Sequence, residues 1–321
     1  MFTRRKTLQL GAGLATVPLF SGAGFAQDRG LISIIVTDPS NPYWLTEGEV
    51  ARKTAESLGY EADVSAHKAD TNTESNLIDL AITNQAKAII LDPANADGSI
   101  GAVSKALNAG IPVFLVNAEI NESGLAIAQL VSNNAQGAAL GAQEFVRQVG
   151  DEARYVEFFG NPADNNAATR SNGYETVLSQ YPGLTKIAEE VANWDRTQGY
   201  TKMQSIIQAH DNIDAVISGN DEMALGAIAA LKEAGMLDGV VVGGFDGNPD
   251  AVDAIKAGEM AYSVLQPVAV FSAEAVRQAD HYIKNGEPMV EQEKQLLDCV
   301  LITPDNVDQY TGPFMLEGMS G

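Results

Sequence analysis

The 321-residue chain holds one cysteine, Cys299, so it can form no internal disulfide. Cys299 lies in an apolar run with Leu296, Leu297, Val300 and Leu301, the setting of a small buried hydrophobe rather than a nucleophile. Histidine is almost as scarce. His67, His210 and His281 are scattered without ligand spacing, and no metal site is legible. Basic residues are in deficit, 20 Lys and Arg against 42 Asp and Glu, for a formal charge of −22. Such a surface repels phosphate backbones and anionic lipid, which argues against nucleic-acid and membrane-surface partners. A dinucleotide fingerprint is missing as well. The turn after the first apolar strand reads Val36-Thr-Asp-Pro-Ser-Asn-Pro42 rather than G-x-G-x-x-G, and no cofactor is expected. Low-complexity segments and long Pro/Ser linkers are absent too.

What is present begins at the amino terminus. Thr3-Arg4-Arg5-Lys6-Thr7-Leu8 sets adjacent arginines before an uncharged stretch that ends in Gly24-Phe25-Ala26. A basic front, a short apolar centre and small residues at the cleavage positions make an export signal over 1–26, of twin-arginine type. It is too short and interrupted for a stable membrane span. With no cysteine near the cleavage point, a lipid anchor is not expected there, so the mature chain is expected to be soluble and periplasmic. Removing the signal's three cations takes the formal charge to −25.

From residue 31 onward, buried strand-like runs alternate with helical spacing. Strands are expected over 31–36, 60–64, 88–91, 112–116 and 125–131, and helices over 42–58, 73–84, 98–108 and 134–149. Asn41 is the expected cap of the first helix, with Pro42 at its first position. Trp44, Ala51, Ala55 and Leu58 keep a helical spacing that gives one face for a sheet. A second series starts at 154, with strands over 155–159, 185–192, 215–218 and 240–245 between helical segments. Two βαβ series in nearly 300 residues imply two doubly wound parallel α/β sheets, each with its own core. A boundary near Ser132-Asn133-Asn134 reads as a short hinge.

Two strand tips stand out: Asn220-Asp-Glu-Met-Ala-Leu-Gly226 and Val241-Val-Gly-Gly-Phe-Asp246-Gly247. Each is a buried strand running into a polar end, which places Asn220 and Asp246 at adjacent carboxyl ends, where open α/β sheets hold ligands. An amide and a carboxylate together supply donors and acceptors for a hydroxyl-rich molecule. Helix capping by Asn220 and simple turns at Gly243, Gly244 and Gly247 would account for the same residues.

With Ser40-Asn41-Pro42-Tyr43-Trp44, these motifs resemble the ribose-type periplasmic sugar-binding proteins of bacterial ABC importers, over nearly all of the mature chain. The resemblance implies a type I fold: two lobes joined by a three-crossing hinge, closing on a small sugar or polyol. It divides the chain into an amino-terminal lobe of 30–132 with 267–297 and a carboxy-terminal lobe of 133–266 with 298–321. By the same resemblance Tyr43, Trp44 and Trp194 supply aromatic faces, and Asn41, Arg170, Asn220, Asp246 and Gln266 a polar ring, with Asn117 after the fourth strand. The implied partners are the ligand and a membrane permease, with the chain acting as a monomer.

One departure bears on the ligand. Where the ribose-type pattern carries an acidic residue followed by arginine, this chain has Asn117-Ala118-Glu119. A bidentate grip and a charge are lost, so the ligand is expected to be an acyclic polyol, a branched or short sugar, or a ring in another pose. Asn165 and Asn166 either extend the polar ring or serve as cap and loop. Two alternatives remain: an enzyme on a two-lobe scaffold, although no Ser/His/Asp order stands out, and a regulator of lac-repressor type, which needs an amino-terminal helix-turn-helix.

Overall fold

The computed structural model describes residues 29–319; the expected export signal lies outside them. The first series runs β1 (Leu31–Val36), α1 (Pro42–Ser57), β2 (Glu61–Ala66), α2 (Thr71–Thr83), β3 (Ala88–Leu91), α3 (Ile100–Asn108), β4 (Val113–Val116) and β5 (Ala128–Ser132). The second runs α4 (Asn134–Val149), β6 (Glu152–Phe159), α5 (Asn165–Leu178), β7 (Gly183–Val191), α6 (Arg196–Ala209), β8 (Ala215–Ser218), α7 (Asp221–Glu233), β9 (Val241–Asp246), α8 (Pro249–Lys256) and β10 (Tyr262–Leu265). The chain then returns through α9 (Val268–Asn285) and β11 (Lys294–Leu297) to the first sheet, passes through β12 (Val300–Ile302) in the second, and continues into a small antiparallel pair, β13 (Tyr310–Gly312) and β14 (Met315–Leu316).

The first sheet has the order β11-β5-β4-β3-β1-β2 and is parallel throughout. The second has the order β12-β10-β9-β8-β6-β7, and only its edge strand β12 is antiparallel. The expected α/β architecture of two doubly wound sheets is therefore present, with one mixed edge. Strand order reverses between β1 and β3 in one lobe and between β6 and β8 in the other. These are the switch points outside which such sheets hold ligands. The backbone passes between the sheets after β5, after β10 and after β11.

The inner strands of each sheet are buried on both faces, which is why they read as continuous apolar runs, whereas the edge strands β2, β7 and β11 are more polar and partly exposed. The apolar stripe of α1 differs from expectation at its start. Tyr43, with Ala51 and Ala55, forms the buried face, whereas Trp44 is only partly buried and packs against the cores of both lobes. Trp44 thus spans the cleft while also resting on the core of its own lobe. In the last stretch Phe314 packs edge-to-face on Tyr43 in the amino-terminal lobe, while Val307 and Leu316 join the carboxy-terminal core. Cys299 is buried, and burial pushes its thiol up to about 12, so it stays protonated.

Candidate ligand-binding site

All nine residues singled out in the sequence line one cavity between the lobes, together with Asp164 and Asn166. The cavity they line is narrow, with a volume of about 20 Å3. The strand tips put them there. Asn41 follows β1 and Asn117 follows β4, while Asn220 follows β8 and Asp246 ends β9.

Capping and cavity lining coexist. The Asn41 side-chain oxygen accepts from Tyr43 N at 2.9 Å, and that of Asn220 accepts from Met223 N at 2.9 Å. Each cap consumes the amide oxygen, not the NH2 group. Asn220 also donates to Trp194 O at 3.3 Å.

Arg170 is the centre of the carboxy-terminal wall, 3% exposed. Its Nε donates to Asn134 Oδ1 at 2.7 Å, and its Nη1 donates to Gly219 O at 2.8 Å and to Asp246 Oδ1 at 3.4 Å. The guanidinium sits 4.0 Å from the Phe245 ring centre and 5.1 Å from that of Trp194. Gln266 Nε2 donates to the same Asp246 oxygen at 2.7 Å. Burial raises the Asp246 carboxyl well above the usual carboxylate range, against the pull of Arg170.

Trp194 closes the site with its backbone in the left-handed region, φ 64°, where a bulky side chain is uncommon. Its indole lies against Gly160 and Gly219, and a Cβ at Gly160 would overlap the ring outright. Asn117 (φ 62°) and Asp246 (φ 129°) are also in positive-φ conformations. Such backbone costs of order 1–3 kcal/mol per residue and clusters at ligand clamps.

On the amino-terminal wall, Tyr43 OH donates to Asn117 Oδ1 at 3.0 Å, and Asn117 Nδ2 donates to Asp92 Oδ2 at 3.0 Å. Thr37 Oγ1 donates to the same Asp92 oxygen at 3.0 Å. Asp92, Asn134 and Phe245 were not legible in the sequence, because each acts by holding a neighbour. Asn165 and Asn166 divide their roles: Asn166 lines the cavity, whereas Asn165 Nδ2 donates to Asn121 Oδ1 at the exposed rim, 2.7 Å away. Neither is the cap of α5, which is Asp164. One buried atom of a cavity residue, Gln266 Oε1, has no hydrogen-bond partner among the described residues. Buried polar groups are ordinarily paired, so an orphan at a cavity wall points to a polar guest.

Residues 32–288 match the model of a periplasmic binding protein domain. The chain belongs to the periplasmic binding protein family. It is 48% identical over 292 residues to a D-apiose import binding protein of Paraburkholderia graminis, covering 91% of this chain and 93% of the relative. A D-apiose import binding protein of Actinobacillus succinogenes is 46% identical over 298 residues, covering 92% and 96%. Among solved structures, a solute binding protein from Bacillus halodurans with bound myo-inositol superposes with a TM-score of 0.82 at 25% identity, over 88% of this chain and 97% of that one.

Buried acids near the cavity give this periplasmic binding protein a pH signature. Burial pushes Asp92 up to about 8, with the Asn117 bond opposing, and Asp221 up to about 7. Burial also raises Glu47, neither of whose oxygens has a partner among the described residues. These folded-state values lie above the unfolded ones, so the native state holds protons that the unfolded chain has released. Stability therefore falls as pH rises through the window up to about 8. His67 opposes this only at lower pH: burial depresses it, and the stability it contributes is lost as pH falls below its usual value. Between pH ~6.5 and ~8.5, urea unfolding of the ligand-free chain is thus expected to show declining stability. The slope is on the order of 1.4 kcal/mol per pH unit for each such proton. Asp92→Asn, which can still accept from Thr37 and Asn117, is expected to flatten that slope; a slope unchanged by Asp92→Asn would contradict the assignment.

Proposed function

We propose that the chain is the exported solute-binding component of an ABC importer, that it binds a compact sugar of the D-apiose class, and that it delivers this ligand to a membrane permease as a monomer. Export follows the twin-arginine signal over 1–26. The lobes comprise 30–132 with 267–297, and 133–266 with 298–321. Asn41, Tyr43, Trp44 and Asn117 contribute from the first, Arg170, Trp194, Asn220 and Asp246 from the second, and Gln266 from a crossing. Binding, rather than catalysis, is the task of this site.

The observation that carries the reading is the wall itself. A charged donor–acceptor pair, Arg170 and Asp246, stands among amides and between indole faces in a closed space. Sugar hydroxyls match the donors and acceptors, and apolar C–H faces match the rings. Ligand contact with both lobes favours the closed arrangement over an open one.

Selectivity follows from Asn117. Its amide is already engaged by Tyr43 and Asp92, and Ala118 beside it offers no polar arm. The amino-terminal wall therefore has few groups left to grip a ribopyranose ring, while a branched pentose carries as many hydroxyls but presents them in different positions. D-apiose is expected to bind at least about ten times tighter than ribose, a gap of about 1.4 kcal/mol. A thermal-shift series over pentoses, hexoses, alditols and inositols tests this through linkage. Ribose or glucose ranking first would remove the proposed ligand class.

A further inference from the structure

Away from the crossings, three hydrogen bonds join the lobes directly among the described residues. Ala96 N donates to Ala163 O at 3.1 Å, and Asn165 Nδ2 donates to Asn121 Oδ1 at 2.7 Å. The third is the side-chain bond from Asn166 Nδ2 to Asn117 O, at 3.1 Å, and it is buried. The Asn165 bond lies at the exposed rim, where water competes for both partners. Asn166 and Asn117 are only 6% and 5% exposed, so a broken bond there strands polar groups when the lobes close.

The Asn166 bond also occupies a particular place in the network. Asn166 Oδ1 accepts from Asn134 Nδ2 at 2.8 Å, and Asn134 Oδ1 accepts from Arg170 Nε at 2.7 Å. Asn134 sits beside the first crossing, where its Nδ2 also donates to Ser132 O at 3.1 Å. On the other side, the Asn117 side chain is held by Tyr43 and Asp92. Asn117 is the left-handed residue that follows β4, and its carbonyl is the group Asn166 reaches. A continuous run of buried hydrogen bonds thus extends from Asp92 through Asn117, Asn166 and Asn134 to Arg170 and Asp246. Its single step from lobe to lobe is Asn166 to Asn117.

We propose that Asn166 is a closure latch: a positioning residue whose bond to the Asn117 carbonyl stabilises the closed lobes before ligand arrives and aligns Arg170 through Asn134. This deepens the solute-binding reading and rests on it for its purpose, but the latch acts on the ligand-free chain and is read there. With it, the empty protein samples the closed arrangement more often, and the ligand needs less binding energy to shift the population.

The test is an interlobe distance distribution, from paired labels on exposed Lys53 and Thr201, measured without any sugar. Buried Cys299 leaves thiol labelling selective for introduced cysteines. Asn166→Ala is expected to move the open-to-closed ratio about 2- to 12-fold toward open, the value of one ordinary hydrogen bond. Asn166→Asp, which sets an acceptor against the Asn117 carbonyl, is expected to move it at least as far. Asn165→Ala, at the wet rim, is expected to move it less. Urea midpoints of each variant show that the comparison is between folded chains. Distributions for Asn166→Ala and Asn166→Asp that match the unsubstituted chain overturn the latch, as does an Asn165→Ala shift of equal size. Failure of every sugar to bind would overturn the functional reading and leave this distance result standing.

Discussion

Arg170→Ala is expected to give a chain that binds no sugar at millimolar concentration and unfolds with about 3–5 kcal/mol less free energy. The reason lies in what one guanidinium holds. It bonds to Asn134, Gly219 and Asp246 and lies between the Phe245 and Trp194 rings, with both members of its ion pair almost wholly buried. Removing the cation leaves Asp246 in a desolvated site with Gln266 as its remaining donor. Asp246 is already raised by burial, and without Arg170 it rises further. The loss of stability is therefore expected to shrink as pH falls and the acid takes up its proton. Arg170→Lys does not restore the planar fork and is expected to bind weakly. Arg170→Met combined with Asp246→Leu is expected to recover much of the stability and none of the binding. Urea unfolding with calorimetry separates the two effects. Full affinity in Arg170→Ala would remove this residue from the site.

Trp194→Ala carries the second large effect. The side chain is 7% exposed, belongs to the carboxy-terminal core and forms one wall of the cavity. Truncating a buried tryptophan costs about 3–5 kcal/mol of stability. An aromatic anchor in an enclosed site is worth about 2–4 kcal/mol of binding, roughly 30- to 1,000-fold in affinity. Trp194→Phe keeps a ring over Gly160 and Gly219 and is expected to lose much less of both. If Trp194→Ala lowers stability alone, the indole is a core element and the stacking role is wrong.

The readable parts of this fold were those that local chemistry dictates. Strands buried on both faces read as apolar runs, and Asn41 and Asn220 were visible because a helix cap and a strand tip want the same side chain. Less visible were effects that depend on what lies opposite. Trp44 has the spacing of a sheet-facing residue but spans the cleft, since the second lobe offers it a surface that periodicity cannot register. The adjacent amides Asn165 and Asn166 were indistinguishable in sequence, yet one helical step sends one to the rim and the other into the cavity. Asp92 and Asn134 carry no signal of a site role in the sequence, because they touch the cavity residues from behind. Strands β11 and β12, of four and three residues, are too short to carry a period, and the antiparallel edge follows from the final crossing.

Calorimetric titration of the chain from residue 27 onward with D-apiose tests the central claim most directly. The account predicts one site per chain, with a dissociation constant of about micromolar or tighter, and at least about tenfold weaker binding of ribose. A flat titration with D-apiose beside saturable binding of ribose or glucose would contradict it.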